Sequence, residues 1–575
     1  MKHRKALAGL VVLGLVGSIV ASTTSATAAA KKKNAKKPAK AAATTTTAKP
    51  AAAPAPAAAP APAAAKTGGK MTFGIEAEST NYLPSTAWGV SGVIVASSVL
   101  DRLAEYTDKG VVECYTCETI SSPDNGITWI MKLRSGIKFH NGEDFNAEAV
   151  IGDINYKRNP ASFSNGIFTS FILPPTIKTM EKVDELTVKF NMTGPWVNFP
   201  VYLTGQIGMT AAPACYKNPQ KCANSPIGTG PFIFKEWAPD DHFTAVKNPN
   251  YWRKGYPFLD EITFKPLPDE IVRLNALKSG DIDAIDTFNG ARIADMRDLF
   301  KDGKINYSDS ASFGEATWLA INNDKPPLDD KRIRCALAML TDQEDLIKVK
   351  YRGALTPANG PFGQGNLGYD AGDLGYPKPN VDKAKSLIQE YLTEKGLKEL
   401  PQIQIGTTAV PDNIDVTSYV AQQWKNKAGI NTTPVTATEQ SKYITDVLLA
   451  GNFMSTGLRG YAGPDPETNN VFWNSLTYAK SGTPTLNIQR IRNGIIDESL
   501  SKLRTTSDPV LRKRYALAIA REFNENCYNV WLYRTTWGVG AQKNITGFDD
   551  WTLPSGNLRA HMVAGYVWAG NFKKG

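Results

Sequence analysis

Two hydrophobic periods alternate along this chain without a fixed repeat. Leu186, Val188 and Phe190 place an apolar side chain at every second position, as do Trp129, Met131 and Leu133 within TWIMKLR, which predicts strands with one buried face. Helical spacing takes over later. In KRIRCALAML, Ile333, Ala336, Leu337 and Leu340 recur at i, i+3, i+4 and i+7 and form one buried stripe. Thr341, followed three residues on by Glu344, predicts a capping box that starts the next helix at once. Asn380 is placed to cap a helix whose inner face is Val381, Ala384, Leu387, Ile388 and Tyr391 and which stops at Gly396. Asp508 and Pro509 open another, with Leu511, Tyr515, Ile519 and Phe523 in one row. Strands and helices interspersed in this way predict a mixed α/β architecture in several lobes, since the roughly 500 residues beyond the first seventy exceed what one core supports.

The N-terminal end does not follow either period. Lys2, Arg4 and Lys5 precede an apolar run over 6–20 and small residues up to Ala28, the order of a secretory signal peptide, here 1–29. The run is shorter than the roughly 18 to 20 apolar residues needed to span a bilayer. Residues 30–70 are Lys-rich and then Ala/Pro/Thr-rich, with almost nothing to bury, and read as a disordered tether. Charge changes the picture once it is divided. The first seventy residues hold twelve of the 65 lysines and arginines and no acid, so the remainder carries 53 basic against 55 acidic residues. The globular part is not basic and gives no reason to expect nucleic acid.

Six cysteines in an exported chain suggest bridges. Cys215 with Cys222 is the best pair, and Cys114 with Cys117 reads as a small local disulfide. Cys335 lies in a helical apolar pattern, where a buried thiol and a bridge to Cys527 are equally compatible with the sequence. Catalytic constellations are sparse. Beyond the signal peptide the histidines are His140, His242 and His561, at spacings that make no zinc motif, and each reads as a surface or structural residue. The stretch 89–93, GVSGV, lacks the final glycine of a nucleophile elbow. Asp281, Asp283 and Asp286 read as solvated acids on a strand edge, without the further ligands of a calcium loop. GTGPFIFKEW, residues 228–237, has two glycines but then Pro231 and strand chemistry, so it is a turn into a strand and not a phosphate cradle. No catalytic residue, cofactor or metal site is expected.

The longer stretch GTGPFIFKEWAPDDHFTAVKNPNYW, residues 228–252, resembles the hallmark run of the extracellular solute-binding protein family 5, the oligopeptide, dipeptide and nickel receptors of ABC importers. TWIMKLRSGIKFHNGEDFNAEAV (128–150), LAINNDKPPLDDKRIRCALAMLTDQEDLI (319–347) and ALTPANGPFGQG (354–365) are similar to family segments in the same order. The resemblance runs from about residue 69 nearly to the C-terminus. It implies an α/β, two-lobed periplasmic-binding-protein-like fold of the large three-domain type, with a hinged cleft that closes over a ligand. Carried over by motif order, lobe I comprises 71–105, 205–314 and 543–575, an inserted domain 106–204, and lobe II 315–542. Hinges are expected near Ala311, Ser312 and Phe313, and near Gly540 and Ala541.

One departure bears on the ligand. Peptide-binding members place an Asp three residues before an Asp-Pro pair, where it meets the ligand α-ammonium; counting back from Asp465 reaches Ala462. An enclosed ammonium without a counter-charge is costly, so ordinary α-amino peptides lose their main contact unless Asp465 or Glu76 substitutes. Arg459 in the same loop points instead to a carboxylate or sugar-acid ligand. Trp88, Tyr461, Trp473 and Asn322 complete the expected ligand-binding set. The expected role is a non-enzymatic, monomeric receptor that delivers a small-molecule or peptide solute to ABC permease membrane subunits; the alternatives are an exported carboxylate-dependent hydrolase and a ligand-sensing surface receptor. The first cysteine is Cys114, so no lipid anchor follows the signal peptide, and the expected location is the periplasm or the outer face of the cell envelope.

Overall fold

Period-two stretches form three larger sheets, beside two two-stranded ones, in the computed structural model, which describes residues 68–84, 89–159, 176–439, 442–460 and 463–575. The signal peptide and almost all of the tether lie outside the described residues. The largest sheet has seven strands in the order Asn306–Ser310, Trp537–Ala541, Ala284–Thr287, Lys70–Ile75, Glu261–Pro266, His242–Lys247, Phe232–Ala238. Lys70–Ile75 runs parallel to its neighbours Glu261–Pro266 and Ala284–Thr287, and Trp537–Ala541 lies antiparallel between Ala284–Thr287 and Asn306–Ser310. Phe73, Phe243, Ile262 and Phe264 from these strands join one buried core with helix Gly89–Val99.

The turn at 228–231 enters this sheet as expected, with Phe232–Ala238 and His242–Lys247 paired antiparallel. Its glycines serve close packing: a Cβ on Gly228 would stand 2.2 Å from the Val99 carbonyl oxygen, and one on Gly230 2.5 Å from the same backbone.

A six-stranded sheet holds Thr356–Pro357, Asn529–Arg534, Ala316–Ile321, Ser455–Gly460, Ile405–Thr408 and Thr436–Thr438, in that order. Helices cover it. Lys331–Leu340 is capped by Asp330, and Ile333, Ala336, Leu337 and Leu340 are all fully buried, as the stripe predicts. The next helix, Gln343–Tyr351, begins one residue later than the capping box predicts. Asp342 accepts from the Asp345 amide, while the Thr341 hydroxyl is drawn inward to bond Leu337 O and receive Trp424 Nε1 at 2.9 Å. Helix Val381–Lys395 has the Asn380 cap and the left-handed Gly396 stop. In Pro509–Glu525, Ile519 and Phe523 are buried while Leu511 stays exposed.

A four-stranded antiparallel sheet, Cys117–Ser121, Thr128–Leu133, Thr187–Met192, Ile177–Asp184, makes up the third layer. All six cysteines are paired. Cys114–Cys117 and Cys215–Cys222 form as expected, and Cys335–Cys527 is a third bridge, tying helix Lys331–Leu340 to the end of Pro509–Glu525. No helix of the described residues is long and apolar enough to cross a membrane.

Candidate functional site

The chain crosses between the two large sheets twice. Ser310 ends one strand of the first and Ala316 begins one of the second; Arg534 ends a strand of the second and Trp537 re-enters the first. The crossings lie side by side, with Thr535 N–H donating to Glu315 O at 3.0 Å, the Thr317 and Thr535 hydroxyls 3.2 Å apart, and Trp537 Nε1 donating to Glu315 Oε2 at 3.1 Å. The first crossing coincides with the stretch expected from the sequence. The second is Thr535–Thr536, ahead of the expected Gly540 and Ala541. Those two residues pair within the first sheet, where a Cβ on Gly540 would meet Met296 Sδ at 2.6 Å, so they are packing positions.

Strand direction then fixes which ends meet. Lys70–Ile75, Glu261–Pro266, Ala284–Thr287 and Asn306–Ser310 share one direction, and Ser310 leads straight into a crossing. In the second sheet Ala316 lies opposite both Gly460 and Arg534, and Ile405–Thr408 and Thr436–Thr438 run with Ser455–Gly460. Both sheets therefore present the carboxyl ends of most of their strands to one junction, the usual site for a ligand in an open α/β sheet.

From the first sheet this junction receives an acidic group. Thr287 Oγ1 donates to Glu270 Oε2 at 2.8 Å, and Glu270 pairs with Arg273 at 3.2 Å. Asp286 is buried, and its Oδ1 has no hydrogen-bond partner. Burial pushes its carboxyl up to about 7; Glu76 and Glu270 add to the rise and Arg273 opposes it. The sequence pattern suggested solvated acids here; the strand begins only at Ala284, which turns Asp286 inward, while Asp281 bonds Ser279 and Asp283 accepts the Thr72 amide and pairs with Lys574. From the side of the second sheet, Asp412, in the first turn of helix Pro411–Ala428, accepts from Tyr351 OH at 3.0 Å. Burial pushes it up to about 6, with Glu270, which opens helix Glu270–Ser279 on the facing side, adding and hydrogen bonds from Tyr351 and Asn289 opposing. The two sides touch closely: a Cβ on Gly290 would lie 2.7 Å from the Tyr351 ring, and Arg352 pairs with Asp295 at 2.8 Å and Asp298 at 2.7 Å.

The expected ligand residues separate on this frame. Glu76 follows the end of strand Lys70–Ile75 and is half-buried at the junction. Arg459 occupies the end of strand Ser455–Gly460, its backbone opposite Thr317. Trp88 and Tyr461, with Ala462, lie outside the described residues. Asn322 follows the far end of Ala316–Ile321, away from the crossing, where it is fully buried and donates to Gly451 O, Phe453 O and Ser481 Oγ. Trp473 is fully buried against Phe362 and Phe523 in the second lobe's core. Asp465 accepts the Glu467 amide at 3.0 Å and pairs with Arg512 at 2.5 Å.

Sequence reasoning passed over Glu467, which the same loop buries completely. It pairs with Arg504 at 2.6 Å and accepts from Asn198 Nδ2 at 2.7 Å and Tyr202 OH at 2.8 Å, clamping the second lobe to residues 196–202. Nothing local in PDPETNN marks it, because Arg504 is 37 positions away and Asn198 and Tyr202 are 269 and 265 positions away in the chain.

A family profile described as bacterial extracellular solute-binding proteins, family 5 Middle, matches residues 113–483. Heme-binding protein A of Haemophilus influenzae is 27% identical over 439 residues, 72% of this chain and 77% of that protein. Glutathione-binding protein GsiB of Escherichia coli K12 is 27% identical over 443 residues, 76% of this chain and 83% of that one. Among solved structures, Helicobacter pylori DppA in complex with the peptide STSA superposes with a TM-score of 0.75 at 20% identity, covering 88% of this chain and 98% of that one. AgaA of A. tumefacien R10, in complex with agropinic acid, gives 0.74 at 23%, covering 88% and 99%. These structural likenesses establish the two-lobed fold.

Proposed function

Since the chain belongs to the bacterial extracellular solute-binding proteins of family 5, we propose that it captures a small organic solute at the junction of its two large sheets and presents it, unconverted, to the membrane permease of an ABC importer. The observation that carries this reading is the convergence of strand carboxyl ends from both sheets on one junction, spanned by two adjacent crossings. Two crossings side by side make a hinge, and the site beyond them needs shape and a few polar groups, not a nucleophile.

In this reading the seven-stranded sheet with its C-terminal cover is lobe I, the six-stranded sheet is lobe II, and the four-stranded sheet belongs to the inserted domain. Ligand contacts are assigned to Glu76, Arg459, Tyr461 and Trp88. Asn322, Asp465 and Trp473 are assigned to the scaffold behind them, because their polar atoms or rings are already engaged. Relatives bear the names of glutathione and heme, and structural neighbours hold a peptide and agropinic acid. Loss of the ammonium-pairing acid at Ala462 argues against an ordinary α-amino peptide. Residues 1–29 direct export, and 30–70 tether the receptor outside the cytoplasmic membrane.

The test is mass spectrometry of small molecules released from the purified protein, followed by thermal-shift screening with the compounds identified. A bound ligand raises the melting temperature by mass action, growing with the logarithm of its concentration over Kd. The reading predicts a rise that grows with ligand concentration, with the compound recovered intact. A compound returned chemically altered would replace the receptor with an enzyme.

A further inference from the structure

Arg534 is the last residue of strand Asn529–Arg534, directly before the second crossing, and its backbone lies opposite Ala316, the first residue after the other crossing. Its side chain is buried, with the residue only 7% exposed. Nη2 donates to Asn359 Oδ1 at 2.9 Å, and Nη1 has no hydrogen-bond partner.

The other buried arginines each have a carboxylate or several carbonyl partners, although the Nε atoms of Arg102 and Arg490 are likewise without a hydrogen-bond partner. Arg102 and Arg559 pair with Glu105 at 3.0 and 3.1 Å, and Arg273 with Glu270. Arg334 donates to the carbonyls of Leu328, Asp329 and Asn526, and Arg490 to those of Leu449, Thr483, Asn487 and Ile488. Arg534 has one neutral amide oxygen. All 55 aspartates and glutamates of the chain fall within the described residues, and none forms an ion pair with it. Burial pulls its pKa down to about 10, with only the Tyr369 phenol opposing. A guanidinium keeps its proton at any physiological pH, so this charge stays in place and uncompensated.

A buried, unpaired cation costs stability unless a partner arrives. Asn359 holds one amino group of the fork and leaves the other open, the arrangement that a planar carboxylate completes with a charge-assisted hydrogen bond. We infer that Arg534 is the docking point for a carboxylate group of the captured solute, so that the transported compound is an organic acid in its bound form. The inference rests on the solute-capture reading above and narrows it.

The experiment uses the full mature chain, purified by unfolding and refolding so that no carried-over ligand remains. Probes are glutathione and triglycine, each as free acid and as C-terminal amide, and sodium glutarate against sodium chloride at equal ionic strength, all read by thermal shift and calorimetry. The expected result is that at least one free acid raises the melting temperature of the wild type, that any matching amide binds about tenfold or more weakly, and that Arg534→Gln abolishes the response while Arg534→Lys keeps part of it. The acid-amide comparison in the wild type stands by itself should Arg534→Gln fail to fold. The inference is overturned when acid and amide shift the protein equally, when Arg534→Gln discriminates as the wild type does, or when no carboxylate probe produces a shift. A response to amides alone removes the carboxylate while leaving solute capture intact; a solute recovered chemically altered removes capture itself.

Discussion

The hydroxyl of Tyr351 donates to the carboxylate of Asp412 at 3.0 Å, and the Tyr351 ring packs on the backbone at Gly290. One aromatic residue of the second lobe thus binds an acid of its own lobe and seals the face of the other.

Acid chemistry at this junction sets a pH dependence of unusual sign. Aspartates held by ion pairs or hydrogen bonds have lowered pKa values and stabilise a protein above about pH 4. Here Asp286 and Asp412 are raised, to about 7 and about 6. The folded state therefore binds their protons more tightly than the unfolded state, and stability contributed by these groups falls as pH rises from about 4 through about 7. Asp286→Asn should gain up to about 4 kcal/mol at pH 8 and almost nothing at pH 4. Urea unfolding at both values checks it; equal gains at the two would show that burial of this carboxylate has no cost.

Glu467 pairs with Arg504 and ties residues 465–470 to residues 196–202 through Asn198 and Tyr202. Glu467→Ala leaves Arg504 without its partner and should cost about 3–5 kcal/mol. Hydrogen exchange of residues 196–202 should speed up in this variant; unchanged protection would mean that apolar packing alone holds the contact.

The Cys335–Cys527 bridge spans 192 positions. Loop closure of that length gives up to about 5 kcal/mol in the chain-entropy picture. Cys335→Ser with Cys527→Ser should lower the melting temperature more than removal of Cys114 and Cys117, which closes only three positions. A matched pair of calorimetric scans decides between them.

Trp473 packs on Phe362 and Phe523. Trp473→Ala should cost about 3–5 kcal/mol of stability, whereas Arg459→Ala should weaken solute affinity about tenfold or more with little change in the unliganded melting temperature. Calorimetric titration beside thermal melts separates the two; the opposite pattern would exchange their assigned roles.

Helices were the most legible part of the chain. Asn380, Gly396 and Asp508 mark ends that hold in the structure because caps are local chemistry. Thr341 fails as a cap because Trp424, 83 positions away, claims its hydroxyl. The site was less legible for the same reason. Asn322 and Trp473 are polar and aromatic residues beside family motifs, yet which end of a strand faces the junction depends on pairing with Ser455–Gly460 and Asn529–Arg534, and local spacing does not encode that. Glu467 and Arg534 carry no sequence signal, since what distinguishes them is the presence or absence of a distant partner.

The strand Trp537–Ala541 lies between Ala284–Thr287 and Asn306–Ser310. Those two earlier strands have no ladder to each other, so until residues 537–541 have been made each has an open edge. A late segment thus closes what two earlier ones leave apart, and a chain stopped before Trp537 would leave the larger sheet split.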